Sequence, residues 1–197
     1  MASFDYMGVF GREPAEVLRA LGFSEGKPTR YPDTRGNSAG RMRSGWFLLF
    51  GHSVWTKHAQ ELSAGCQAIY VEASDTAMCS RAIFYEDGRT VWSVAHDDDP
   101  GEPFDVRTEG TLPAEYAALH AELMEKQRRS VEENEKVDYL YDLPLRVAGV
   151  VTGYVPLENE PENAFFELEK VEPAPPAPAS TPPAPVSPPE RPWWRFW

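Results

Sequence analysis

Two β-favouring runs, Arg81-Ala82-Ile83-Phe84-Tyr85 and Thr90-Val91-Trp92-Ser93-Val94, flank the tetrapeptide Glu86-Asp87-Gly88-Arg89. Asp-Gly between such runs predicts a two-residue hairpin turn, because both central positions need positive φ and these residue types tolerate it. A simple antiparallel register sets Tyr85 opposite Thr90 and Ile83 opposite Trp92, which makes one face aromatic. The other face carries Ala82, Phe84 and Val91, which are also apolar. A hairpin apolar on both sides needs cover on both sides, so it belongs near the middle of an antiparallel sheet packed against helices.

The other elements fit that frame. Pro14–Leu21 reads as a short helix, with proline in its first turn and Gly22 as its stop. Trp46–Phe50 is continuously apolar and predicts a buried strand, Thr56–Ala64 one or two helical turns, and Cys66–Glu72 another strand. Leu112, Tyr116, Leu119, Leu123 and Val131 form a helical stripe that Gln127 interrupts, which predicts a helix from Thr111 to about Lys136. Leu143–Thr152 predicts a further helix, capped by Asp142 and ended by Gly153. Phe166-Glu167-Leu168-Glu169 alternates as an edge strand with one wet face. The expected fold is therefore α+β: a mainly antiparallel sheet of about five strands with two to four helices, and a Pro-rich disordered C-terminal tail.

Prolines set the domain boundary. Of the 19 prolines in the 197 residues, 10 fall between Pro173 and Pro192, in a block padded with Ala, Ser and Thr. Such a block has no route to helix or sheet and predicts a polyproline II-like linker. We therefore divide the chain into a domain over residues 1–172, a linker over 173–192 and a terminal peptide over 193–197.

Charge follows the same division. The net charge is -12, of which residues 1–100 contribute -3, residues 101–172 contribute -10, and the rest +1. That acidity argues against nucleic-acid binding, since phosphates are neutralised by an excess of Lys and Arg. With 24 aromatic residues the chain has the means to build a core, so wholesale disorder is excluded. The longest apolar run is Trp46–Phe50, far below the roughly 18 residues that cross a bilayer. Cys66 and Cys79 are the two cysteines, expected as buried free thiols. With no cationic, apolar leader at the N-terminus, a cytoplasmic setting is expected.

Chemistry-bearing clusters are few. His96-Asp97-Asp98-Asp99 follows a strand and has the ligand types of a Mg²⁺ or Ca²⁺ site, but lacks the spacing of a calcium loop and runs into Pro100-Gly101. These four residues are weak metal candidates, and a solvated turn is preferred. No nucleophile motif, metal-finger spacing or phosphate loop occurs. The chain is accordingly expected to be no enzyme and to carry no cofactor. Ser24–Gly45 reads as a long polar loop, in which Lys27, Arg30, Arg35, Arg41 and Arg43 are candidates for binding an anion or an acidic partner.

The tail carries the strongest functional signal. Trp193-Trp194-Arg195-Phe196-Trp197 clusters four aromatics, the residue types richest in binding hot spots together with arginine. Exposed aromatic clusters aggregate unless covered. A linker of this length reaches about 60 Å at roughly 3.1 Å per residue. Linker and tip together predict a tethered docking peptide for a protein partner, with packing on its own domain or peripheral contact with a membrane interface as alternatives. The leading expectation is a non-catalytic, cytoplasmic protein-binding (adaptor or accessory) protein. An immunity-type protein that neutralises a toxin is the first alternative, and a metal-dependent hydrolase centred on His96 the second.

Overall fold

The computed structural model describes residues 4–30, 32, 37–51, 55–97, 104–135, 137–156 and 165–171. Nine strands form one antiparallel sheet: β1 (Phe4–Phe10), β2 (Phe23–Thr29), β3 (Ser38–Arg41), β4 (Phe47–Phe50), β5 (Gln67–Ser74), β6 (Cys79–Glu86), β7 (Arg89–Asp97), β8 (Arg107–Gly110) and β9 (Phe165–Lys170). Their order across the sheet is β2-β9-β3-β4-β1-β5-β6-β7-β8. Four helices accompany it: α1 (Pro14–Leu21), α2 (Trp55–Leu62), α3 (Tyr116–Glu132) and α4 (Leu143–Thr152), the last preceded by a 3₁₀ turn at Leu140–Asp142. The α+β class stands, with four more strands than expected.

Alternation along the strands separates two cores. Tyr6, Leu48, Phe50, Ile69, Val71, Phe84, Trp92 and Val94 face one side and pack with Leu123 of α3 and Leu143, Val147 and Ala148 of α4. Met7, Val9, Phe47, Leu49, Tyr70 and Tyr85 face the other side, against Val17 and Leu18 of α1 and Ala59 and Leu62 of α2. β1 lies between β4 and β5 at the centre of both layers. A side chain at Gly8 would strike Ile69, Leu48 and Trp46, so only glycine lets those residues close over the strand.

The hairpin forms as expected, with Asp87 and Gly88 both at positive φ. Its register differs by one residue beyond the first pair. Tyr85 pairs with Thr90, but a bulge then sets Phe84 opposite Trp92 and Ile83 opposite Ser93. The extra residue is Val91, and the two aromatic rings stack with centroids 5.5 Å apart.

Five other expectations are corrected. Ser24–Gly45 is not one polar loop: it holds β2 and β3, whose composition (Phe-Ser-Glu-Gly-Lys-Pro-Thr and Ser-Ala-Gly-Arg) hides them. β9 is no edge strand, since it pairs with both β2 and β3. Alternation reports which face is wet, not whether the strand has one neighbour or two. α3 begins at Tyr116 rather than Thr111. Asp142 makes no side-chain cap bond, because the 3₁₀ turn already runs into α4. Finally, Cys66 and Cys79 are free thiols as expected, but only half-buried.

Candidate functional site

The two helical layers are unequal. On one face α4 packs across β5, β6 and β7. On the other, α1 lies on β2, and α2 lies on β1 and β5 and barely reaches β6. Beyond α2 the strands β6, β7 and β8 turn a face outward that no described helix covers.

The register arranges that face in rows. Glu72, Arg81, Ala95 and Arg107 succeed one another across β5 to β8, and Tyr70, Ile83, Ser93 and Glu109 form the next row. Cys79 and Asp97 pair beyond them. Small side chains at Ser93 and Ala95 leave a floor between two guanidinium groups, and the result is a concavity of about 380 Å³. Arg81 donates to Glu72 at 2.9 Å. Arg107 is paired with both Asp97 and Asp105. The Arg81 Nε is shielded from solvent and has no hydrogen-bond partner among the described residues. A buried donor without a partner is costly, and an incoming acceptor would satisfy it.

Its rim is a sheet edge that no other described strand pairs with. β8 is the outermost strand, and all four of its residues are exposed. The opposite edge, β2, is blunted by Pro28, which has no N–H, and by a register shift between Glu25 and Pro28. β8 has neither device, although Arg107 and Glu109 put charge along it.

His96 and Asp97 do not act together. Successive strand residues point to opposite faces. Asp97 is exposed beside Arg107, whereas His96 is fully buried on the α3/α4 side. There its Nδ1 meets the carbonyl of Asp105 and its Nε2 lies 2.8 Å from Asp138 Oδ2. Ser80 sits directly opposite His96 in the ladder, but its hydroxyl donates to the Tyr141 carbonyl at 2.7 Å. Ser80, His96 and Asp138 thus resemble a nucleophile triad in composition only. Both imidazole nitrogens are engaged, and serine and histidine are sealed from solvent. Asp98 and Asp99 lie outside the described residues. Among the described residues no cluster of three or more His, Cys, Asp or Glu is arranged to hold a metal ion.

The basic candidates disperse. Lys27 is exposed on β2 and Arg30 follows its end, while Arg41 closes β3 and Arg43 lies in the turn before β4. β9 separates the two groups. Arg41 reaches Glu13 at 3.4 Å. Arg35 lies outside the described residues, as do Trp193, Trp194, Arg195, Phe196 and Trp197. The sheet-face residues Arg81, Arg107, Glu72 and Glu109 were not singled out from the sequence. The signal for this face in the sequence is the alternation along β7 of Ser93, Ala95 and Asp97 with Trp92, Val94 and His96, which emerges once the bulge is placed.

Half-burial raises the Cys66 thiol above its ordinary range, and the neighbouring Arg12 guanidinium offsets part of that rise. Among the described residues no helix is long and apolar enough to cross a membrane. No family model, curated protein or solved structure matches this chain.

Proposed function

We propose that the chain is a non-catalytic protein-binding component, an adaptor or accessory protein, that receives its partner on the uncovered face of β6, β7 and β8. The observation that carries this reading is the pairing of an open edge strand with a shallow floor lined by charges of both signs. Interfaces of this kind combine a few apolar contacts with hydrogen bonds from Arg and carboxylates at the rim. Arg81 and Arg107 suit carboxylates or backbone carbonyls of the partner, and Glu109 suits its cations. An extended partner segment laid beside β8 would take up the unpaired backbone groups of that edge.

Engagement of both His96 nitrogens supports a binding rather than a hydrolytic role. The two free thiols support a reducing, cytoplasmic setting.

The test is affinity capture with the full chain and with an Ala95→Arg variant, which fills the floor between Arg81 and Arg107. A partner held by the parent protein and released by the variant, with both melting alike, supports the reading. A partner held equally by both overturns it.

A further inference from the structure

At the far end of the sheet, α1 and β2 enclose a second and larger concavity of about 690 Å³. Pro14, Ala15 and Leu18 from the helix, Phe23 from the strand and Val171 from the end of the described chain make it largely apolar. Val171 is half-exposed. Its N–H donates to the carbonyl of Gly22 at 2.9 Å, and Gly22 is the left-handed residue that ends α1. The polypeptide therefore leaves the described fold from the rim of this groove, fixed to the helix terminus.

We infer that the groove is the seat of this chain's own aromatic segment, Trp193–Trp197, bound intramolecularly. Three observations agree on that occupant. The segment is the most concentrated set of aromatic side chains in the sequence, and a groove of this volume suits one or two of them. Val171 is followed by 21 residues before Trp193, which at about 3.1 Å per residue span some 65 Å, far more than a return needs. The proline block is interrupted once by three consecutive non-prolines, Ala179-Ser180-Thr181, which permits the reversal that a return requires. Tethering supplies the rest, because a segment joined at the rim is present at high effective concentration without any partner. This surface lies at the opposite end of the sheet from the face assigned to the protein partner, so the two assignments stand or fall separately.

The experiment places the photo-reactive amino acid p-benzoylphenylalanine at position 196 of the full chain. After irradiation, cross-linked peptides are identified by mass spectrometry in the monomeric species. Linkage to residues 14–25 or 171 is expected, and it should be lost in an Ala15→Arg variant, which blocks the exposed rim and repels Arg195. Cross-links to those residues in a species of twice the mass would overturn the intramolecular assignment in favour of a second copy. Cross-links elsewhere on the domain, or none, would overturn the groove as the seat.

Discussion

His96 Nε2 and Asp138 Oδ2 lie 2.8 Å apart, joining the last turn of β7 to the chain that returns from α3. The same carboxylate accepts from the N–H groups of Leu140 and Tyr141 through Oδ1. On its other side the ring meets the carbonyl of Asp105. The carboxylate thus ties the buried ring to the backbone of the returning chain. Removing the carboxylate in Asp138→Ala leaves the buried ring and two backbone N–H groups without their acceptor, at an expected cost of about 3 kcal/mol in urea denaturation. Asp138→Asn, which keeps an acceptor for the backbone, should cost less than half as much. Equal losses in the two variants would refute the arrangement.

Gln127 performs a related task on α3. It is buried, and its side-chain oxygen accepts the Tyr139 N–H at 2.7 Å, so the polar break in the helical stripe is where the returning chain attaches. Gln127→Leu preserves volume but strands a buried donor, and should destabilise by about 2 kcal/mol. A cost below a few tenths would mean that the Tyr139 N–H has another partner in solution.

Gln127 also marks what the sequence can disclose. Periodicity located α3 and ranked Leu123 as core, because apolar side chains announce a buried face. It treated Gln127 as a flaw and Val131 as core, yet Val131 is about half-exposed. A buried amide is justified by a partner 12 residues away that no local pattern encodes. The strands divide in the same way. β4, β5, β6 and β7 were legible from their own side chains. β1 was not, since Gly8 earns its place only through Trp46, Leu48 and Ile69, which arrive from other strands. β2 and β3 take their structure from pairing with β9 and β4. The sheet-face site was illegible for a third reason: it is defined by a helix that stops short, and the end of α2 says nothing in sequence about what it leaves bare.

Alkaline pH should unfold the domain through its tyrosines. Burial pushes Tyr154 up to about 12 from an ordinary 10.0. Burial also raises Tyr6, with Tyr154 adding to it, and raises Tyr141, with the Asp75 carboxylate beside it contributing. A phenol whose folded pKa lies above its unfolded value favours the folded state while both forms are neutral. Unfolded chains ionise first, so this stability is complete below about pH 10 and is lost as pH climbs from there through the folded values. Stability measured by urea titration should therefore fall from about pH 10 upward, and the 295 nm phenolate absorbance should show tyrosines that ionise only on unfolding. Free titration of all eight tyrosines near pH 10 without loss of structure would contradict the burial of this group.

Gly88 and Gly110 share a φ of +76° and differ in surroundings, which separates backbone strain from steric conflict. Nothing lies within 4 Å of a side chain added at Gly88, in the hairpin turn. One added at Gly110, at the end of β8, would stand 1.9 Å from the Val91 carbonyl oxygen and 3.0 Å from Trp92 Cα. That contact exists because Val91 is the extra residue of the bulge, whose carbonyl turns to accept the Thr111 N–H at 3.2 Å and draws β8 against β7. Gly88→Ala should cost only the left-handed penalty, about 1 kcal/mol. Gly110→Ala carries the same penalty and must also push β8 away from the bulge, for a total of about 3 kcal/mol or more. Hydrogen exchange should show the excess as lost protection along Trp92–Ala95 and Arg107–Gly110, with β5 and β6 unchanged. Were the two alanine variants equally stable, the close approach of β8 to Val91 would be wrong, and with it the shape of the concave face that Arg107 and Glu109 border.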